Sequence, residues 1–439
     1  MSRWPAVAET LVDYAVVKEI QARVAAQLTE LRAERETAGH KALPDADERQ
    51  LALSVIQEQV ARHMRLAVRA GQVLPDSATD LRLVMAVDAA IYGAGELQEL
   101  LDDPDIENID INGCDQVWIT YADDRGRVLG RPVAASDDEL IEIVQNLAAY
   151  SGVTARPWTP THPVLNLRLP GGARLAAVMS APARPAVSIR RNRHPDMTLA
   201  QLVELGTISA ELAAFFRAAI AARMNIVVGG ATDAGKTTLL RALINEIDAT
   251  ERLLTVEKAL ELGIEHDTVR HPDTVALEEV LSDAEGRGGV SIDELVAVTR
   301  RLNPSRVIVG EVMGPDVIPM LTAMSQGNNG SLSTVHARSA TGVIRKLATY
   351  AAQHDSMDFA VTFALIAESL DFVVFIEKNR RDAGRRTVTE VVEVGGFADG
   401  KVSTASIFTP DPVTGKAVRV RDVAIARAVE LADTGWVEV

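Results

Sequence analysis

A glycine-rich turn between a strand pattern and a helix pattern constrains this chain more than any other stretch. Ile226–Val228 is a short β-branched run that predicts a buried strand, and residues 238–247 carry apolar side chains at helical spacing. Between them, Gly230–Thr237 fits G-x-x-x-x-G-K-[ST], the phosphate loop. The N–H groups of such a turn and the positive end of the following helix attract a polyphosphate. The alternative is an ordinary glycine-rich turn that matches the pattern by chance.

The pattern assigns individual roles within this turn. Lys236 is expected to reach the outer phosphates, and the hydroxyl of Thr237 is expected to bind Mg²⁺. The other positions predicted to contact a nucleotide here are Gly230, Ala231, Thr232, Asp233, Ala234, Gly235 and Thr238.

Composition narrows the class of protein. A length of 439 residues predicts about two or three domains. The net charge of −16 argues against duplex DNA binding through overall charge. Cys114 is the only cysteine, so no disulfide can form within the chain, which fits a reducing compartment. Since we find neither a signal-peptide core nor about 18 consecutive apolar residues, we expect a protein that is soluble, or that is attached to a membrane only through partners.

Helical spacing dominates the beginning of the chain. Apolar residues recur every three to four positions over most of residues 8–76, with a polar break at residues 38–44. Two interpretations remain open: a helical hairpin that packs on its own chain, or an arm that docks on a partner.

A small α+β domain is predicted to follow, over residues 81–192. Ile109 and Ile111 alternate with polar residues, as do Val117 and Ile119 after Asn112-Gly113, which predicts a hairpin. Helices are expected at residues 81–101 and 137–151, and further strands between residues 164 and 190.

Residues 182–196 contain prolines and clustered arginines, and we interpret them as a hinge. The cluster, Arg184, Arg190, Arg191 and Arg193, is either part of a solvated linker or faces a phosphate.

From Thr198 onward, predicted helices and strands alternate, which favours a parallel sheet covered by helices on both faces. Ligands of such sheets bind beyond the carboxyl ends of the strands. Glu257, Glu311 and His336 all follow predicted strands, so we expect them on the same edge as the phosphate loop.

The end of the chain has its own predicted elements. Strands are expected at residues 372–377 and 387–394, around a basic turn at residues 378–386 that we interpret as a solvated loop. A helix is expected at residues 420–432.

Four motifs in chain order resemble the type II/IV secretion-system ATPase family, most closely its CpaF-like tight-adherence pilus branch. They are the phosphate loop, the acidic stretch Leu254–Leu262, Leu302–Gly314 and Gly327–Ala337. The resemblance covers residues 85–415 and includes Asp102–Gly113, Leu167–Arg174 and Glu285–Gly288.

The resemblance implies a fold and a cellular role. It implies an α/β, RecA-like phosphate-loop domain over residues 193–439, preceded by the α+β domain at 81–192 and a helical region at 1–80. It further implies a hexameric ATPase that uses ATP and Mg²⁺ to drive pilus assembly or secretion. The ring would lie in the cytoplasm, on the inner membrane, bound to a membrane platform protein.

The resemblance also implies residue roles. Glu257 and Glu261 match the acidic box, where Glu257 would help to place metal and water. Glu311 would orient or deprotonate the attacking water, and His336 would couple the phosphate state to movement. Metal binding would fall to Thr237, Glu257 and Glu311. Arginines of the preceding domain that would reach ATP are Arg156, Arg168, Arg174, Arg190 and Arg191.

The chain departs from the family pattern at three places, which involve four residues. Asp233 and Ala234 stand where the family usually has Gly and Ser, Lys258 replaces an aspartate, and Met313 replaces an arginine. We therefore hypothesise that nucleotide binds but that affinity or turnover is reduced. The alternatives are a ring subunit that binds nucleotide with little hydrolysis and, less consistent with the acidic composition, a nucleic-acid translocase.

Overall fold

The computed structural model describes residues 12–39, 43–71, 79–121, 125–150, 158–169, 172–191, 196–280, 288–325, 327, 329–379 and 385–437. The chain divides into the units Met1–Arg193 and His194–Val439. The finer division at residues 80 and 192 stays a prediction.

Amphipathic helices begin the first unit. The helices described there are α1 (Tyr14–Thr37), α2 (Asp45–Arg69), α3 (Thr79–Tyr92), α4 (Leu97–Asp102) and α5 (Asp137–Tyr150). Val17, Ile20 and Val24 on α1 are buried in one cluster with Val55 and Ile56 on α2. This hairpin therefore packs on its own chain, which is the first of the two interpretations.

An antiparallel sheet forms the rest of this unit. Its described strands are β1 (Ile106–Asn112), β2 (Val117–Tyr121), β3 (Arg127–Leu129), β4 (Val164–Arg168), β5 (Arg174–Val178) and β6 (Ala186–Arg190), in the order β3-β2-β1-β6-β5-β4. The predicted hairpin is confirmed, because Ile109 lies opposite Ile119 and Ile111 opposite Val117. Gly113 follows β1 with φ 76°, a conformation that costs glycine little.

The predicted hinge at residues 182–196 is wrong over part of its length. Strand β6 occupies residues 186–190 and lies inside the sheet, between β1 and β5. Arg184 forms ion pairs with Asp115 at 2.7 Å and with Asp137 at 2.6 Å. Prolines on either side of a five-residue strand gave this segment the composition of a linker.

The second unit is built on a larger sheet. Its described helices are α6 (Leu199–Glu204), α7 (Ala210–Ala221), α8 (Lys236–Ile244), α9 (Ile292–Thr299), α10 (Val317–Ser325), α11 (Ala340–His354), α12 (Phe359–Ser369) and α13 (Ala428–Ala432). Its described strands are β7 (Ile226–Gly230), β8 (Leu253–Glu257), β9 (Thr274–Glu278), β10 (Arg306–Val312), β11 (Leu332–His336), β12 (Phe372–Asn379), β13 (Arg385–Ala398), β14 (Lys401–Pro410) and β15 (Ala417–Arg419). In the part of the chain that is described, no helix is both long and apolar enough to cross a membrane.

The sheet order is β15-β14-β13-β12-β7-β11-β10-β8-β9. The six strands from β12 to β9 in this order are parallel to one another, and β13 to β15 extend the sheet beyond β12 in antiparallel pairs. Successive side chains of β7 enter different cores: Val227 packs in one buried cluster and Val228 in the other. Both faces are therefore covered, as predicted for an α/β sheet with helices on each side.

The predicted helix at residues 420–432 is wrong for most of its length, because α13 begins only at Ala428. The N–H groups of Ala426 and Arg427 donate to the buried Glu393 carboxylate at 2.9 and 3.0 Å. This carboxylate replaces the helical carbonyls as the acceptor of these two groups. Apolar spacing alone could not indicate a partner 33 residues away.

Replacing Phe215 with Ala should destabilise the second unit by about 3–5 kcal/mol, because it leaves a cavity where a fully buried ring stood at the centre of an aromatic cluster. The ring of Phe215 contacts those of Phe216, Phe372, Phe408 and Trp436. Chemical denaturation measures the change in free energy of unfolding.

The matched control is Phe397→Ala, at a position that is 37% exposed. A change of about 0.5 kcal/mol or less is expected there. Equal losses for the two variants would contradict the assigned core.

Candidate functional site

The glycine-rich turn joins β7 to α8. Gly230 leaves no room for a side chain, because an added Cβ would lie 2.4 Å from the backbone oxygen of Ile376. Gly235 precedes α8 with φ 95°, and Asp233 also has a left-handed φ, 59°, which aspartate tolerates better than most residues. The turn therefore places the positive end of α8 at the edge of the sheet.

Three of the predicted site residues meet beside this turn. Strand β11 lies between β7 and β10, and its register places His336 opposite Gly230. Lys236 Nζ lies 3.1 Å from His336 Nδ1 and 4.0 Å from Glu311 Oε1, and it donates to the Ala231 oxygen at 3.1 Å. His336 Nε2 lies 2.9 Å from Glu311 Oε1. The imidazole thus bridges the lysine of the loop and the glutamate of β10.

The pKa of His336 lies below the usual range of a histidine. Burial lowers this pKa most and the ammonium of Lys236 lowers it further, whereas Glu311 acts in the opposite direction. The ring is therefore neutral at pH 7. A neutral ring that accepts from Lys236 at Nδ1 carries its proton on Nε2, the nitrogen nearest Glu311.

Glu257 lies one strand further along the sheet, at the end of β8. Its carboxylate is buried and accepts the N–H groups of Glu261 and Leu262 at 2.9 and 3.0 Å. It also packs against Gly310, the residue before Glu311, where an added Cβ would lie 2.9 Å from Glu257 Cγ. In this structure Glu257 therefore shapes the acidic box and the wall beside Glu311, and its role with metal and water stays a prediction, as does that of Glu261.

The prediction that the basic turn at residues 378–386 is a solvated loop is wrong for two of its residues. Lys378 and Arg386 both form ion pairs with Asp233 of the phosphate loop, the second at 2.7 Å. Burial raises the pKa of the Asp233 carboxyl, but the hydrogen bonds and charges of Lys378 and Arg386 together outweigh burial and hold this pKa below its usual range. Sequence reasoning missed both cations; the signal was the position of Lys378 near the end of a strand that neighbours β7.

A second departure from the family pattern also has a local counter-charge. Lys258 Nζ lies 3.2 Å from Asp316 Oδ2, and this aspartate is buried directly before α10. The same oxygen accepts the N–H of Met313 at 3.3 Å, while the Met313 side chain is half exposed. The positive charge of Lys258 is therefore neutralised by an acid that sequence reasoning did not connect with it.

The arginines of the first unit that were predicted to reach ATP lie in different parts of that unit. Arg168, Arg174 and Arg190 lie directly opposite one another across β4, β5 and β6. Their role toward ATP stays a prediction.

The remaining two predicted arginines differ from this row. Arg191 donates to the backbone oxygens of Leu101 and Asp103, at and just after the end of α4. Its guanidinium thus supports its own domain. Arg156 lies outside the described residues.

The residues present fit MgATP, by the chemistry of the donors. Among the described residues no three His, Cys, Asp or Glu side chains group to hold a metal ion. A nucleotide-bound Mg²⁺ needs only one or two protein ligands, because phosphates and water complete its shell. Thr237 at the start of α8 and Glu311 at the end of β10 meet that requirement.

A parallel sheet, a glycine-rich turn leading into a helix, and a lysine at the first position of that helix define a phosphate-loop protein of the α/β class. Comparison with known protein families identifies the family within this class. Residues 92–404 match the family model described as type II/IV secretion system protein, and the chain belongs to this family.

Two relatives agree with this family. A Mycobacterium tuberculosis protein named as a conjugal transfer protein is 30% identical over 346 residues, covering 77% of this chain and 95% of that protein. The type IV secretion system protein PtlH of Bordetella pertussis is 29% identical, covering 67% of this chain and 92% of that protein. The crystal structure of the pilus retraction motor PilT with bound ADP is 15% identical, with a TM-score of 0.49, and covers 67% of this chain and 80% of that chain.

Replacing Gly230 with Ala should destabilise the second unit by about 1–3 kcal/mol, because the new methyl group meets the backbone oxygen of Ile376. Gly396→Ala is the matched control, since nothing lies within 4 Å of a Cβ added there. Chemical denaturation of both variants measures the difference. If both tolerate the methyl group equally, the close packing of the loop on β12 is contradicted.

Lys236→Ala should raise the pKa of His336, because the replacement removes the cation that opposes protonation. Glu311→Gln should lower the same pKa, because it removes the anion that favours protonation. NMR titration of histidine-labelled protein measures both shifts, with His336→Gln used to assign the resonance. Shifts of the opposite sign would contradict the bridging position of the ring.

Proposed function

We propose that this protein hydrolyses ATP and uses the energy to drive secretion or pilus assembly. Membership of the type II/IV secretion family supports the proposal. The observation that carries it is the meeting of Lys236, His336 and Glu311 at the edge of the sheet where the glycine-rich turn enters α8.

Each of these groups has a task in phosphoryl transfer to water. This reaction depends mainly on positioning and on neutralising charge that spreads over the phosphate oxygens. Lys236 and the N–H groups of the loop supply positive charge, and Thr237 and Glu311 would hold Mg²⁺, which neutralises further charge. Glu311 accepts a hydrogen bond from the attacking water and so aims it.

His336 links the lysine of the loop to this glutamate. The ammonium of Lys236 is hydrogen-bonded to the imidazole of His336 and to a carbonyl, and it lies 4.0 Å from the Glu311 carboxylate. A polyphosphate offers several charged oxygens, and hydrogen bonds from an ammonium to such oxygens are strong. We therefore expect Lys236 to turn toward a bound nucleotide, so that His336 loses a contact. The contacts of the His336 imidazole would thus differ between the nucleotide-free and the nucleotide-bound protein, which is the coupling role that the resemblance implies.

We further propose a hexameric ring at the inner face of the inner membrane, in the CpaF-like branch, with a membrane platform protein as partner. The matching stretches Asp102–Gly113 and Leu167–Arg174 and the relative named as a type IV secretion protein support this. The net charge of −16 argues against a direct nucleic-acid partner.

The proposed ring is tested by the mass of the particle. Light scattering with and without ATP and Mg²⁺ measures this mass, and a monomer under both conditions would contradict the ring.

The second candidate is a nucleotide-binding ring subunit with little or no hydrolysis. Asp233, Lys258 and Met313 favour it, because each changes the charge that the family pattern has near the site. Binding without phosphate release would distinguish this candidate from a motor.

Lys236→Ala should abolish binding of MgATP, whereas Glu311→Gln should retain binding and reduce phosphate release roughly 100-fold or more, as for loss of a catalytic base. Fluorescence titration and a phosphate-release assay measure the two effects. Lys401→Ala and Glu430→Gln, both on exposed positions, are the matched controls. Wild-type phosphate release no faster than that of Glu311→Gln would exclude the motor.

A further inference from the structure

The phosphate loop is tied to the antiparallel part of the sheet through Asp233. Its carboxylate pairs with Lys378 on β12 and with Arg386 on β13, the latter at 2.7 Å from Oδ1. The Asp233 side chain is 32% exposed, whereas the side chains of Lys378 and Arg386 are 50% and 39% exposed, so solvent screens the cations more than the carboxylate.

The two cations need the aspartate as much as it needs them. Lys378 and Arg386 face each other directly across β12 and β13. Like charges at opposed positions of an antiparallel pair destabilise the sheet. Asp233 offsets this repulsion, because its carboxylate pairs with both cations. Neutralisation is thus built into the loop before any phosphate arrives.

Arg386 supports the loop at two further points. Its Nε donates to the backbone oxygen of Asp233 at 3.3 Å. Its Cδ lies 3.0 Å from where a Cβ on Gly235 would be, so the arginine stem follows the glycine that precedes α8. The side chain therefore holds the carboxylate, the carbonyl and the αL turn of the same loop.

We propose that Lys378 and Arg386 are positioning residues that neutralise Asp233 and thereby allow an acidic phosphate loop to accept a polyphosphate. This inference rests on the proposed function, because it assigns these cations to the nucleotide site. Without them the loop would present a bare carboxylate beside the phosphates, and repulsion would weaken binding. With them, an aspartate that departs from the family pattern becomes compatible with the site.

The test measures the dissociation constant of a fluorescent mant-ATP with Mg²⁺. Arg386→Ala should weaken binding by about tenfold or more, the size expected when a charged hydrogen bond is lost. Arg386→Lys should weaken binding less, because it keeps the charge but not the two-pronged contact. Arg385→Ala is the matched control, since it removes the same charge from the adjacent position of β13.

A second substitution distinguishes neutralisation of Asp233 by Arg386 from a purely structural role of Arg386. Adding Asp233→Asn to Arg386→Ala should recover at least half of the lost affinity on a logarithmic scale, because the carboxylate that repels phosphate is gone. Thermal unfolding without nucleotide shows that each variant is folded, and Arg386→Lys serves if Arg386→Ala is not.

Each outcome decides the inference. Unchanged affinity in Arg386→Ala, or a double variant as weak as the single one, overturns the inference while the proposed function stands. A wild-type protein that does not bind mant-ATP removes the proposed function and the inference together. Weakened binding followed by rescue supports the inference.

Discussion

Parallel pairing of β7, β11 and β10 is the constraint on which the site depends. Because strands in this arrangement end on one edge, Gly230 and His336 come to lie opposite each other, and Glu311 follows one strand further. The hydrogen-bonding distances between Lys236, His336 and Glu311 follow from that backbone register. The register in turn is held by two apolar cores, one on each face of the sheet. Stability and chemistry are therefore coupled through the same strands.

Local signals in the sequence were sufficient for the centre of this unit. The strand before the turn, the helix after it and the strand ends at Glu257, Glu311 and His336 could all be predicted, because each depends on a few adjacent residues. Strands β9, β14 and β15 were not predicted. Strands β9 and β15 are short and lie at the two edges of the sheet, and β14 consists largely of polar and small residues without a clear apolar alternation. The helix predicted at residues 420–432 was wrong for a different reason, because the carboxylate of Glu393 accepts N–H groups that a helix would use.

The pairing of charges in the site could not be predicted from neighbouring residues in the sequence either. Asp233 and Lys258 each look unfavourable when only their neighbours in sequence are considered. The structure gives each a counter-charge from a distant segment, Lys378 and Arg386 for the first and Asp316 for the second. The effective charge at a loop position is set by the strands that flank it, and strand pairing decides which those are. A substitution within a motif is therefore best interpreted together with the elements that the motif touches.

The contact between Gly230 and β12 has a mechanical consequence. The backbone oxygen of Ile376 closes one side of the turn, whereas Ala231 and Thr232 on the other side are open to solvent. A backbone oxygen inside a sheet cannot yield without bending the strand that carries it, so the turn is rigid in one direction and compliant in the other. When a ligand enters, the turn can therefore shift only toward solvent, because the sheet behind it does not give way.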